Sequence, residues 1–222
     1  MAAKHEKATL RAHYDALAST YDGEANQACK RAYAELVQRV IGKARCVLEI
    51  GAGTGKLLSE LDVPFKVATD FSPNMMAARK TDCNVRRATS DAQCLPFCDA
   101  SFDFVLSVNL LEHVPSPPTV AAEAARVLRP GGRFLAITPN GDVAWLLEVL
   151  ERLHLKLPEG PHRFLTFCEL VQLQGTIFRI LEARRFIACP IGPPRFVRSV
   201  DRWTGHGRGL GLFHYVLMEK YG

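Results

Sequence analysis

Two carboxylates and a run of glycines in the first third of the chain carry the clearest chemistry. Residues 47–55 read Val-Leu-Glu-Ile-Gly-Ala-Gly-Thr-Gly, an apolar stretch with an acid, Glu49, followed by Gly51, Ala52, Gly53 and Gly55. Glycines let the backbone turn sharply and let a ligand lie against it with no Cβ in the way. A helix beginning at Lys56 would add unpaired N–H groups and the positive end of its dipole. A second carboxylate, Asp70, closes the next apolar run, Phe-Lys-Val-Ala-Thr-Asp, 19 residues after Gly51. That matches the roughly 20-residue offset at which an acid at the end of the second strand meets ribose hydroxyls. A carboxylate there can accept from two vicinal hydroxyls. The implied chemistry is nucleoside binding at the carboxyl ends of neighbouring strands in an α/β sheet.

The glycine spacing narrows the choice of nucleoside. The dinucleotide fingerprint G-x-G-x-x-G wants a third glycine where this chain has Lys56, and the phosphate loop G-x-x-x-x-G-K-[ST] fails because Leu57 follows that lysine. The segment V-L-E-I-G-A-G-T-G-K-L-L instead resembles the first motif of class I S-adenosylmethionine (SAM) dependent methyltransferases, in which the acid before the turn belongs to the signature. Three further segments resemble the same family in order: D-F-S-P-N-M from Asp70, the pair Asp91-Ala92 with Leu95-Pro96-Phe97 and Phe102-Asp103, and V-L-R-P-G-G-R-F-L-A-I-T-P-N ending at Asn140. Together they cover about residues 46–140, and the subgroup resembled is the small-molecule "type 11" set that includes quinone-pathway enzymes.

That resemblance implies SAM as cofactor and assigns cofactor-binding roles. Glu49, Gly51, Ala52, Gly53 and Gly55 would form the turn under its methionine portion. Asp70 would hold the ribose, Phe71 would border the adenine with Ser72 beside it, and Asp91 with Ala92 would take the adenine amino group. Asn109, at the end of the fourth strand, would face the reacting end. The segment Y-D-A-L-A-S-T-Y-D resembles the family's tyrosine-aspartate pattern, so Tyr14 and Tyr21 are candidates to close over SAM; ordinary helix packing is the alternative.

The elements that must position these residues follow from periodicity. Apolar residues spaced by three and four make residues 8–42 helical. From 45 to 140 strands and helices alternate, which predicts a doubly wound parallel sheet, with a helix at 56–61, a helix at 119–128 stopped by Pro130-Gly131-Gly132, and a fifth strand at 134–138. Residues 142–153 read as an amphipathic helix, 166–175 as another, 178–188 as a strand, 190–210 as a Pro- and Gly-rich loop containing Trp203, and 211–222 as the final edge strand. The fold expected is Rossmann-like and α/β: seven mostly parallel strands, one antiparallel edge strand and an N-terminal helical lid. A single domain is expected, with the lid at 1–42, the SAM-binding core at 45–140 and the substrate-side elements at 141–222.

Bulk properties bound the partners. The 222 residues suit one α/β domain, and a 48% hydrophobic, 23% charged composition is that of an ordinary globular protein. The first residues lack the apolar core of a secretory signal, and no apolar run reaches the ~18 residues of a membrane span. Seven cysteines at irregular spacings read as free thiols in a reducing cytoplasm rather than a zinc site. Residues 1–150 balance 17 basic against 17 acidic side chains, whereas residues 151–222 hold 11 against 6 and carry the whole excess of +5. A solvated basic face explains this excess, and so does attraction of an acidic substrate, a nucleic acid or an anionic membrane surface.

Methyl transfer from a sulfonium needs mainly alignment, plus a base when the acceptor is a hydroxyl, an acidic carbon or an ammonium. His113 in Leu-Glu-His-Val and His162 in Gly-Pro-His-Arg-Phe are the candidate catalytic bases; packing under the loop is the alternative for His113. Arg163 could bind an anionic acceptor group. Ser107-Val108-Asn109-Leu110 lacks the prolines that mark methylation of exocyclic base amines. Clustered acidic ligands are missing, so no metal is expected. The reading is in-line methyl transfer to a small phenol, quinone or polyketide-like acceptor. A tRNA or lipid methyltransferase and an inactive SAM-binding partner subunit remain as alternatives, and an NAD-dependent oxidoreductase conflicts with Lys56.

Overall fold

The structure is a computed structural model describing residues 2–24, 27–79, 84–152, 162–173, 175–186 and 211–222. Three helices come first: α1 (Ala2–Leu17), α2 (Tyr21–Glu24) and α3 (Gln27–Val40). Then β1 (Cys46–Ile50), α4 (Lys56–Ser59), β2 (Phe65–Asp70), α5 (Pro73–Ala77), β3 (Arg86–Thr89), β4 (Phe102–Val108), α6 (Pro117–Val127) and β5 (Leu128–Pro139) alternate. The last elements are α7 (Ala144–Arg152), α8 (Phe167–Gln172), β6 (Phe178–Phe186) and β7 (Phe213–Lys220).

The strands form one seven-stranded sheet in the order β3-β2-β1-β4-β5-β7-β6. Neighbours from β3 through β5 are parallel, and β7 runs antiparallel to both β5 and β6. The Rossmann-like, mostly parallel sheet is therefore present, with its antiparallel ribbon at one end. Within that ribbon the last strand of the chain, β7, is the inner one, and β6 takes the rim. Composition explains the placement: six residues of β7 in a row are buried, whereas β6 alternates toward solvent. A strand covered on both faces belongs inside a sheet.

Alternation along each strand builds two core layers. Val47, Phe104, Leu106, Leu135, Ile137 and Tyr215 face Val37, Val40 and Ile41 on the side of α3. Leu48, Ile50, Val105, Phe134, Ala136 and Val216 face Val120, Ala124 and Val127 of α6. Topology then sets the ligand position. The chain runs outward from β1 to β3, then crosses back to place β4 on the other flank of β1. The crevice beyond the carboxyl ends of β1 and β4 is that switch point.

Local differences from the expected boundaries have simple causes. α6 starts at Pro117, whose missing N–H suits the first helical position. Pro130-Gly131-Gly132 does not end pairing but bulges inside β5, so Phe102 pairs with Leu128 while Phe104 pairs with Arg133. Gly131 takes a φ of 75° there. α4 is one turn long. Residues 187–210, including the expected loop and Trp203, lie outside the described residues, as do residues 153–161. Among the described residues Cys29, Cys46, Cys94, Cys98 and Cys168 are free thiols, and no helix is long and apolar enough to cross a membrane.

Candidate cofactor cleft and acceptor mouth

The glycine turn after β1 is held open by backbone geometry. Gly51 and Gly53 have φ of 68° and 55°, in the left-handed region that favours glycine. A Cβ on Gly51 would lie 2.8 Å from Leu110 Cδ1, and one on Gly53 would lie 3.2 Å from Tyr21 Cε1. The Ala52 N–H donates to Thr69 O at 2.8 Å, which ties the turn to β2. The Gly53 N–H donates to Asp70 Oδ2 and the Ser72 N–H to Asp70 Oδ1, both at 2.8 Å. Two N–H donors therefore aim the Asp70 carboxylate, and its remaining lone pairs stay available to hydroxyls. Burial pushes the Asp70 carboxyl up to about 6, against the pull of these N–H groups.

Glu49 lies beneath the turn, 3% exposed. Its Oε2 is buried with no hydrogen-bond partner among the described residues. Burial pushes its carboxyl up to about 8, the Leu58 N–H opposes this, and the Asp70 charge adds to it. Ser72 caps α5 by accepting from the Met75 N–H at 3.1 Å, and its hydroxyl donates to Asp15 at the end of α1.

Further along, Asp91 follows β3. Its Oδ1 accepts from the Gln93 N–H at 3.0 Å and its Oδ2 from Lys7 Nζ at 2.5 Å. The loop carrying Asp91 is held from behind by α6: the Glu123 carboxylate accepts from the Leu95 N–H, and Arg126 donates to the carbonyls of Leu95 and Phe97. The Arg11 guanidinium lies 5.9 Å from the centre of the Phe71 ring.

These residues enclose one cleft of about 800 Å³, counting its open mouth, within the range of sites that take a whole cofactor. Gly51, Gly53, Asp70, Phe71, Ser72, Asp91, Ala92, Asn109, Tyr14, Tyr21 and His113 all line it. Glu49, Ala52, Gly55 and His162 are not among its lining residues. Glu49 is buried below the turn, and Gly55 packs toward Ala68 and Arg87. The sequence reading missed Lys7, Leu10 and Arg11, which also line the cleft. With Tyr14 they are spaced i, i+3, i+4 and i+7, one face of α1, so the signal was present in the helical period.

Within the cleft lining, Tyr14 Oη and His113 Nε2 share a hydrogen bond at 3.0 Å. The His113 ring stands edge-on to Tyr14 at 5.7 Å and to His162 at 6.1 Å, and His162 packs on Phe164 at 4.4 Å. His162 thus joins the site through His113. Asn109 adopts a left-handed φ of 50° and donates from Nδ2 to Tyr33 Oη at 3.4 Å. Arg163, by contrast, is 72% exposed and pairs with Glu169, the third residue of α8 and part of its capping box. Its position does not suit an acceptor-binding role. The other described basic side chains of the last third are engaged too: Arg179 with Glu219, Arg184 with Glu182, Arg185 with Asp142, and Lys220 with the Leu128 carbonyl.

The cleft fits an adenosine-type cofactor on its own chemistry. Ser90 Oγ, Gln93 Oε1 and Asn109 Oδ1 line it or flank it as buried polar atoms without partners among the described residues, and the glycine turn leaves space that a Cβ would fill.

Residues 48–136 match the family model described as a methyltransferase domain. A demethylmenaquinone methyltransferase from Mycobacterium sp. is 32% identical over 158 residues, covering 64% of this chain and 68% of that protein. A ubiquinone biosynthesis O-methyltransferase from Idiomarina loihiensis is 29% identical over 141 residues, so this chain spans only 58% of its length. The crystal structure of a SAM-dependent methyltransferase, possible histamine N-methyltransferase, from Thermotoga maritima is 20% identical, covers 96% of this chain and 100% of that one, and superposes with a TM-score of 0.73. At that identity the likeness concerns the fold. Glycine turn, paired carboxylates, cleft and relatives agree: the chain belongs to the class I, type 11 SAM-dependent methyltransferases, and SAM is its cofactor.

Proposed function

We propose that this enzyme methylates a hydroxyl of a small phenol, quinol or polyketide-like acceptor. The observation that carries the reading is the Tyr14–His113–His162 cluster at the mouth of the cofactor cleft. When bound, SAM supplies an electrophilic methyl on a sulfonium that departs as a neutral thioether. Gly51 and Gly53 let that cofactor approach the backbone, Asp70 accepts from its ribose hydroxyls, and Asp91 with Ala92 meets the adenine edge. Glu49, Ala52 and Gly55 shape the turn from below, while Phe71 and Ser72 border the base. Asn109 and the rings of Tyr14 and Tyr21 close the reacting end against water.

A neutral phenolic oxygen is a poor nucleophile, so a base that removes its proton speeds attack. An imidazole titrates in the range that suits this task. In this reading His162 or His113 takes the acceptor's proton, and the Tyr14 hydroxyl orients the His113 ring. The name of the ubiquinone-pathway relative, an O-methyltransferase, supports an oxygen acceptor, and the demethylmenaquinone relative's name supports a quinone-type acceptor without specifying oxygen. The test is transfer of a labelled methyl from SAM to a panel of phenols, catechols and reduced quinones. Turnover is expected with at least one of them, reduced roughly a hundredfold or more in His162→Asn or His113→Asn, with S-adenosylhomocysteine affinity retained. Turnover confined to amines, lipids or tRNA would overturn the acceptor class. Wild-type rates in both variants would remove the histidines from the chemistry. Loss of S-adenosylhomocysteine binding in Asp70→Ala is expected in parallel.

A further inference from the structure

The residue beside His113 points the other way. Glu112 sits in the short turn Leu111–His113 and is 3% exposed. Its Oε2 accepts from Thr138 Oγ1 at 2.8 Å, and Thr138, at the carboxyl end of β5, is fully buried. Its main-chain carbonyl accepts from the Arg163 N–H, also at 2.8 Å. One residue therefore grips the sheet with its side chain and the 162–166 stretch with its backbone. That stretch is pinned a second time, where the Gly141 N–H donates to the Leu165 carbonyl at 2.8 Å. Gly141 leaves no room to spare there, since a Cβ on it would lie 2.5 Å from that carbonyl oxygen.

A turn of three residues has little rigidity of its own. The His113 N–H closes it onto the Leu110 carbonyl at 2.9 Å. Whatever fixes Glu112 fixes the next residue, His113, and through Arg163 the preceding residue, His162. We propose that Glu112 is a positioning residue: its buried bond to Thr138 sets the spacing of His113 and His162, and with it the Tyr14–His113 hydrogen bond. The proposal rests on the reading that these histidines serve the acceptor. A glutamate in this place is costly to bury, and its hydrogen bond to a hydroxyl fully shielded from water is correspondingly strong and directional.

The experiment uses the full chain with nitrogen-labelled histidine and the variants E112A, E112Q and T138V. The imidazole nitrogen resonances of His113 and His162 report tautomer and hydrogen bonding. In E112A and T138V both rings are expected to shift as the Tyr14 contact loosens. E112Q keeps an oxygen for Thr138 and should restore most of the wild-type pattern. S-adenosylhomocysteine affinity should stay within about tenfold throughout, because the glycine turn, Asp70 and Asp91 are untouched and only Tyr14 and His113 of the cleft lining would shift. Unmoved His113 and His162 resonances in folded E112A or T138V would overturn the proposal. So would a collapse of cofactor affinity in step with the shifts, which would mark a general loss of structure. If E112A does not fold, T138V decides alone, since it removes one hydroxyl and leaves the shape. The two readings fail separately. Wild-type turnover in the histidine variants would defeat the acceptor reading and leave the resonance result standing.

Discussion

Glu49 shows how one buried acid can be read from its neighbours. Its carboxyl is pushed from 4.5 to about 8, first by burial. A carboxyl whose folded value is raised stabilises the fold fully below its unfolded value, and that stability is lost as pH climbs to the folded one. The Glu49→Gln protein escapes this penalty. Its melting temperature without ligand should exceed that of the parent by an amount that grows between about pH 5 and pH 8 and then levels off. Thermal melts across that range check it, and a constant difference would mean Glu49 is charged throughout. The glycine turn gives a second prediction at this scale. Gly53→Val must place a branched side chain at a φ of 55° and against Tyr21. Such strain costs about 1–3 kcal/mol, and the side chain would stand in the cofactor's path. Calorimetry should find S-adenosylhomocysteine affinity lowered more than a hundredfold, by about 2.7 kcal/mol or more.

Elements are held to one another by a few charged side chains at strand starts and helix faces. Asp103, at the start of β4, accepts from the N–H groups of Arg45 and Cys46 at 3.0 and 2.9 Å and from Arg129 at 2.5 Å. Burial alone would raise its carboxyl, but these donors outweigh it and the net direction is down. A depressed carboxyl contributes stability above its unfolded value, 3.8, and loses it as pH falls through the lower folded one. Asp103→Ala should therefore cost about 2 kcal/mol in urea melts at neutral pH, a difference that shrinks in strong acid. A cost independent of pH would show that packing rather than charge is involved. The first two helices are bound in the same manner, one contact to each cofactor loop: Lys7 to Asp91, Asp15 to Ser72, and Asp22 to Thr54 Oγ1 at 2.9 Å. Asp22 also pairs with Arg79 at 3.2 Å and with Lys30 at 3.7 Å, and such part-exposed ion pairs are screened by salt. Replacing Asp22 with Ala should weaken S-adenosylhomocysteine binding a few-fold at low ionic strength and less in high salt, measured by calorimetry in both.

The whole molecule answers to ligand through mass action. SAM or S-adenosylhomocysteine at 100 times its dissociation constant should add about 2.7 kcal/mol of stability, visible as a rise in melting temperature. NAD should give none, because Lys56 occupies the position of the third glycine in the dinucleotide pattern. A shift with NAD alone would contradict the cofactor assignment. The basic excess of the last third belongs to this scale too. Arg179, Arg184 and Arg185 on β6 each pair with an acid, so the described part of that region offers a network rather than an open cationic face.

The sequence by itself determined what depends on local order. The apolar period, the glycine turn and the acids at strand ends dictated the Rossmann-like alternation and the loops that line the cleft, because each of these is a short-range pattern whose backbone consequence is the same wherever it occurs. It also named Tyr14 and His113 as residues of interest. Only the tertiary structure decided that these two meet, 99 positions apart, that Lys7 reaches Asp91, that β6 and not β7 forms the rim, and that Glu112 turns inward to Thr138. Those outcomes depend on which buried surfaces find each other once the sheet has twisted and closed. A pairing of that kind depends on three-dimensional packing, and no local period in the chain encodes it.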